Sequence, residues 1–358
     1  MNLVEFDKLL DRLPVMARLN PVSLAFLDRP VTLYKTAREM ALTLDALNPT
    51  PPGRWLTLDI DTHYLSRFPE IKCEHDPFTS ESNRILLDHY DRIGQSMLTQ
   101  DKVAQRIISR SAGLETVVLF LLDGLSYDDC RAWPGVEPCL TVLPTITRVC
   151  FPAIVNNPPI ASRLFTNGFS RRIGFTYWER QDNQLTDKLF ETIGDMHEIR
   201  TGFGEVARYL SKAPDLRQTY IQIVRSALDD YADGIRTLVP RDTLVRELWD
   251  DIATIADVLR KRGLRARIFA VADHGLLWKD QNHAFQILGQ ERGGLRHGPT
   301  KPPNSRGKWV SLDSDRSWVL DYPQLRRDFR KNEQGTHGGI SFEECVVPFV
   351  TLEVQTDA

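Results

Sequence analysis

Thr116 to Gly124 reads Thr-Val-Val-Leu-Phe-Leu-Leu-Asp-Gly (TVVLFLLDG), a β-branched and aromatic apolar run that stops at an acid and a glycine. A short run with no polar interruption predicts a strand covered on both faces, the kind found in parallel sheets. A second such run, Ile268 to Ala272 (IFAVA), stops at Asp273-His274-Gly275. Between the two, Asp242 to Arg262 carries Leu244, Leu248, Ile252, Ile255 and Leu259 on one helical stripe. Asp242 suits the first turn of that helix, Arg260, Lys261 and Arg262 suit the last, and Gly263 supplies the stop. The basic cluster Arg260 to Arg267 is therefore read as a complement to a helix C-terminus. Helix, short loop and buried strand make half of a βαβ unit, so the expected fold is α/β, a mostly parallel central sheet with flanking helices.

Outward from this core the pattern changes. Cys345 to Val354 (CVVPFVTLEV) predicts a last strand, with Pro348 pointing to a sheet edge or a bulge. Repeated glycines, Pro302-Pro303, Asn304 and Ser305 predict a loop-rich insert over about 275–335, with a short strand or two. Before Gly113 the periodicity is mainly helical: Leu3, Phe6, Leu9, Leu10 and Leu13, then a turn at Asn48 to Gly53, then apolar stripes through Ser80 to Arg110. The expected organisation is a helical segment over 1–112, which packs on the core or serves partner binding or dimerisation, and an α/β domain over 113–358.

Composition excludes several classes. Of 358 residues, 42% are hydrophobic and 26% charged, a globular balance rather than a disordered one. A formal net charge of -3 gives no global field for holding nucleic acid. Five cysteines without a CxxC pair rule out a disulfide scaffold and a zinc ribbon and suit a reducing compartment. Apolar runs are far shorter than the roughly 20 residues a membrane helix needs, and the start carries Glu5 and Asp7 where a secretion signal is basic and apolar. The expected location is the cytoplasm, away from membranes.

Five stretches hold residues capable of chemistry. Asp123 and Asp273-His274 both leave the carboxyl ends of buried strands, where open α/β sheets gather their ligands. Leu143 to Pro152 (LPTITRVCFP) holds Thr145, Thr147 and Arg148. Asp229-Asp230-Tyr231-Ala232-Asp233 follows the strand-like Tyr220 to Val224, and Thr336-His337-Gly338-Gly339 projects a histidine from glycine-rich backbone. Taken singly, each has an ordinary structural explanation as a turn, a cap or a solvated loop. Together they supply carboxylates and imidazoles suited to zinc or manganese, with a hydroxyl that a bound cation could activate. That set fits in-line displacement at phosphorus or sulfur.

The order of these motifs resembles the alkaline phosphatase superfamily over about Thr116 to Val354. The tail His337 to Pro348 (HGGISFEECVVP) and Leu121 to Asp128 (LLDGLSYD) are especially similar to its PglZ branch, which is associated with BREX-type phage defence. The resemblance implies an alkaline-phosphatase-like fold. It also implies that Asp123, Asp273 and His274 hold one metal, with Thr147 bound to it as nucleophile. Thr147 rather than Thr145 is implied because the family places the nucleophile two residues after the first Ser or Thr of the Pro-led segment. His337 and Asp229 would belong to a second metal, most often zinc, with manganese or magnesium as alternatives. The family's usual third partner, a histidine four residues after the Asp, is Asp233 here, which favours harder cations or a weak second site. His283 and His297 are the candidate substitutes within the insert, each with an ordinary reading as a surface or loop histidine.

The implied function is a metal-dependent phosphodiesterase or phosphatase, acting on nucleotides or nucleic-acid-derived diesters in bacterial phage defence. Arg148, next to Thr147, would clamp nonbridging oxygens. Two alternatives stand beside it: a catalytically weak PglZ-like scaffold that binds defence-system proteins, and a phosphotransferase or phosphomutase.

Overall fold

The computed structural model describes residues 97–355 except 131, 178–183, 236, 280–284, 290–291 and 313–314, with 31–34, 54–57 and a set of positions between 83 and 95. The N-terminal periodicity at Leu3 to Leu13, the turn at Asn48 to Gly53, Cys73 and His283 lie outside the described residues. The chain divides into two compact units, one of Met1–Met97 with Asn282–Phe285 and one of Leu98–Gln281 with Gln286–Ala358. In the first, Val31–Tyr34 and Arg54–Thr57 pair as parallel strands, an element that the helical periodicity of this stretch does not announce.

The second unit is built on an eight-stranded sheet. Its strands are β1 (Leu98–Thr99), β2 (Thr116–Asp123), β3 (Val136–Leu140), β4 (Arg171–Thr176), β5 (Asp195–Glu198), β6 (Thr219–Ser226), β7 (Ala266–Ala272) and β8 (Val346–Val354). Their spatial order is β1-β3-β8-β7-β2-β6-β4-β5. From β7 to β5 all neighbours are parallel, and β8 runs antiparallel to both β7 and β3. This is the mostly parallel sheet with flanking helices that the sequence predicts.

β2 is buried at every position because β6 and β7 flank it and helices cover both faces. The helices that matter for the site are α1 (Gln100–Ser109), α2 (Thr147–Val155), α3 (Asp229–Ala232), α4 (Arg241–Lys261) and α5 (Phe342–Cys345). α4 buries Leu244, Val245, Leu248, Ile252, Ile255, Ala256 and Leu259, the stripe that defined it in the sequence, and Gly263 follows with φ +66°.

Two expectations change. β8 lies inside the sheet, not at its edge. Pro348 faces Pro138 across the antiparallel pair with β3, so at that position neither strand asks its partner for an N–H. The ladder with β7 begins only at Phe349, so the missing Pro348 N–H is not needed there either. The helical run read through Ser80 to Arg110 is interrupted by β1 immediately before α1. Gln100, fully buried, is held where α1 begins: its amide nitrogen Nε2 donates to the carbonyls of Ala272 (3.0 Å) and Asp273 (2.5 Å), and its Oε1 accepts from Val142 N (2.9 Å).

The insert carries more strand than expected. His297–Gly298, Asp315–Leu320 and Gly307–Leu312 form a three-stranded antiparallel sheet, and Leu277–Trp278 pairs with Gly335–Thr336. Among the described residues no helix is long and apolar enough to cross a membrane.

Candidate metal and catalytic site

The carboxyl ends of β2, β6 and β7 lie side by side, and the segments that follow them are stitched to one another. Leu125 N donates to the His274 carbonyl (2.8 Å), Asp273 N to Leu122 (3.1 Å), and Leu228 N to Gly124 (3.0 Å). Gly124 is required here. Its φ is +77°, and a Cβ would sit 3.1 Å from Asp229 N and 3.2 Å from Asp229 Cβ. Only a residue without a side chain lets the segment after β6 approach so closely.

This geometry brings Asp123, Asp273 and His274 into one cluster and Asp229, His274 and His337 into another. Within each, one ligand atom per residue lies within 4.8 Å of the others. His274 belongs to both. Its Nε2 is 3.4 Å from Asp273 Oδ2 and 4.0 Å from Asp123 Oδ1, while His337 Nε2 is 3.6 Å from Asp229 Oδ1. Thr147 opens α2, with its hydroxyl 3.2 Å from His274 Nε2 and 3.4 Å from Asp123 Oδ1. The N-terminal end of a nine-residue helix thus faces the cluster and favours anionic groups beside Thr147.

The electrostatics are those of carboxylates crowded out of water. Burial, and then the charges of Asp273 and Asp229, push the Asp123 carboxyl well above its ordinary range. Burial raises Asp273 to about 6, although its Oδ1 accepts from Gly124 N (3.0 Å) and His274 N (2.8 Å). Burial and the neighbouring His337 lower His274 to about 3, so its ring is neutral. For His337, burial opposes the charge, but Asp229 and the Thr145 carbonyl outweigh it and hold the imidazole above its ordinary value. His274 Nδ1 lies 3.1 Å from the Gly275 carbonyl, which can only accept, so Nδ1 carries the proton and Nε2 presents a lone pair to the cluster.

Asp273 Oδ2 and Asp229 Oδ1 are buried without a hydrogen-bond partner, one in each cluster. Buried carboxylate oxygens are seldom left unsatisfied. Two such orphans, set among three carboxylates and two imidazoles, fit a divalent cation in each position. Oxygen and imidazole donors of this kind suit zinc or manganese.

Of the residues singled out in the sequence, Asp123, Thr147, Asp229, Asp273, His274 and His337 converge here. Asp233 does not join either cluster: it is the exposed C-cap of α3, which lasts a single turn. Arg148 is exposed beside Thr147. His297 is half-buried and packs against the loop after His337, where a Cβ on Gly338 would lie 2.5 Å from its ring. It does not share ligand distance with the two clusters.

Sequence reasoning missed the residues that hold this arrangement. Arg296 and Glu344, both fully buried, form an ion pair (Nη2–Oε2 2.6 Å), and Glu344 Oε1 accepts from Gly339 N (2.8 Å). Ser126 Oγ donates to the Glu343 carbonyl (2.7 Å) and accepts from Leu276 N (3.1 Å), tying the loop after β2 to the loop after β7. The Glu343-Glu344 pair was the available signal, since charges set between Phe342 and the apolar Cys345-Val346-Val347 run require a partner where they are buried.

No family model and no curated protein matches the chain. Among solved structures it is similar to murine ectonucleotide pyrophosphatase/phosphodiesterase 5, at 10% identity over 68% of this chain and 88% of that one, with a TM-score of 0.46. It is also similar to the C-terminal periplasmic domain of EcEptC from Escherichia coli in complex with zinc, at 10% identity over 67% and 73% of the chains and a TM-score of 0.38. A third is phosphonoacetate hydrolase from Sinorhizobium meliloti, at 12% identity over 65% and 89%, with a TM-score of 0.39.

Proposed function

We propose that the chain is a metal-dependent phosphoester hydrolase with Thr147 as its nucleophile. One observation carries this reading: the Thr147 hydroxyl lies at hydrogen-bond range of His274, the residue common to two donor clusters that each hold an orphaned carboxylate oxygen. Asp123, Asp273 and His274 would hold one cation beside Thr147, and Asp229, His337 and His274 face the position of a second. When bound, such cations act as Lewis acids on phosphoryl oxygens and lower the pKa of a coordinated hydroxyl.

The protein's own contribution is positioning. Thr147 Oγ forms a bond to phosphorus as the bond to the leaving alcohol breaks, giving a phosphothreonine. Water then cleaves the Thr147–phosphate bond and restores the hydroxyl. The helix N-terminus at Thr147 favours the negative charge that accumulates on the nonbridging oxygens, and Arg148, exposed beside it, would clamp them. Nucleotides or nucleic-acid-derived diesters in a cytoplasmic phage-defence setting are the substrates and context that the sequence resemblance supports.

A scaffold reading, in which the fold binds defence-system proteins without turnover, draws on Asp233, whose exposed position leaves the second cluster without a third residue of its own. Metal analysis and a panel of mono- and diesters separate the two. Hydrolysis of a bis-aryl phosphate that is lost in Thr147→Ala, with bound metal retained, supports the hydrolase. Protein without stoichiometric metal and without turnover under any divalent cation refutes it. A phosphoenzyme that passes its phosphate to added alcohols more readily than to water would instead mark a phosphotransferase.

A further inference from the structure

Thr145 stands two residues before Thr147 and is fully buried. Both its polar groups are committed to one short loop, His337-Gly338-Gly339. Its hydroxyl accepts from Gly338 N (2.9 Å) and donates to the Gly339 carbonyl (3.1 Å), and its own carbonyl lies 2.9 Å from His337 Nδ1. The last contact decides a tautomer. A backbone carbonyl can only accept, so the proton of the neutral ring sits on Nδ1, and Nε2, which faces Asp229, is left with its lone pair.

From these contacts we infer that Thr145 is a positioning residue: it fixes the tautomer and orientation of His337 and ties that histidine to the segment carrying Thr147. The geometry around the loop is consistent with a site built for this purpose. Gly338 has φ +100°, which places its N–H toward the Thr145 hydroxyl, and Gly339 is held from the other side by Glu344 Oε1 and packs on the Arg296 guanidinium, leaving no room for a Cβ. The loop is thus clamped between two buried anchors. One belongs to the nucleophile segment, so a displacement of Thr147 would be felt at His337 through the intervening hydrogen bonds.

The inference rests on His337 serving as a ligand, as proposed above, but its first test does not depend on hydrolysis. Ring-15N-labelled histidine in the metal-free wild-type protein, at a pH where the ring is neutral, reports the tautomer of His337 directly, with the resonance assigned by His337→Gln. The Nδ1–H form is expected; an Nε2–H form or an even mixture overturns the inference, whatever the enzyme hydrolyses. The second test compares Thr145→Val, which keeps the shape and loses the hydroxyl, with Thr145→Ser, which keeps the hydroxyl. Zinc affinity at the weaker position, measured by chelator competition, is expected to fall about tenfold to a hundredfold in Thr145→Val and to recover in Thr145→Ser. Wild-type affinity in Thr145→Val, or equal weakening in both variants, overturns the role of the hydroxyl. Should Thr145→Val not fold, the wild-type tautomer and the Thr145→Ser affinity still decide. A wild-type protein that shows the Nδ1–H form yet binds no zinc would refute the proposed function and leave the tautomer assignment standing.

Discussion

The imidazoles of His274 and His337 lie face to face, with ring centroids 3.9 Å apart and planes 6° from parallel. Each ring has its Nδ1 turned to a backbone carbonyl, Gly275 for one and Thr145 for the other. Both Nε2 atoms therefore point into the space lined by Asp123, Asp229 and Asp273. Two cationic rings at this spacing would repel strongly, and burial keeps His274 neutral. The stack is therefore not a pair of charges: the His274 ring is neutral, and Asp229 favours the charged form of His337.

His274 is shared by both donor clusters and His337 belongs to one, which separates their variants. His274→Ala should lose metal from both positions. His337→Ala should lose it from the Asp229 side alone and retain close to one equivalent. Turnover of a bis-aryl phosphate should fall at least about a hundredfold in each. Metal content by mass spectrometry after dialysis checks the stoichiometry; a His274→Ala protein that keeps two equivalents would break the assignment.

Glu344 and Arg296 are a fully buried ion pair whose removal on one side strands a charge. Glu344→Gln leaves the buried Arg296 charge with neutral acceptors, the new amide oxygen and the Asp321 and Gln324 carbonyls, and should destabilise the fold by about 3–5 kcal/mol. Urea denaturation measures this. A loss below about 1 kcal/mol would show that the pair is not the anchor of the His337 loop.

The fold was readable where burial and periodicity act together. The TVVLFLLD run could be only a covered strand, and the α4 stripe carried its own start and stop signals. The convergence of Asp123, Asp273 and His274 followed from their position at the ends of two such strands. Asp233 came from the resemblance alone, as the residue standing where the family has a histidine; α3 ends after one turn and leaves it exposed, outside both clusters. Pro348 misled because a single strand cannot show that its partner also carries a proline. Thr145 and Gln100 act through backbone partners distant in sequence, and such contacts leave no local pattern.

Gly124→Ala tests the close approach of the segments after β2 and β6. The left-handed φ of +77° penalises an alanine by about 1–2 kcal/mol, and the new Cβ presses on Asp229 at 3.1–3.3 Å. The expected outcome is a lower midpoint in thermal unfolding together with weaker metal binding on the Asp229 side. Unchanged metal affinity with the same loss of stability would mean that Asp229 is not held by this contact.

Asp321 provides a pH test away from the cation cluster. It is 1% exposed; Oδ2 accepts from Arg306 (2.6 Å) and Oδ1 is buried without a partner. Burial raises its carboxyl from 3.8 to about 6, against the charges of Arg306 and Arg296. Below pH 3.8 the carboxyl is protonated in both folded and unfolded chains. Between there and about 6 the unfolded chain ionises while the folded one keeps its proton, so this group's contribution to stability falls as pH rises. Asp321→Asn does not ionise and escapes that fall. Relative to wild type it should gain up to about 3 kcal/mol between pH 4 and pH 7, most of it below pH 6 and little above. Urea midpoints of the two proteins across that range decide the matter. A stability difference independent of pH would mean that Asp321 is ionised in the folded state throughout, with Arg306 meeting the whole cost of its burial.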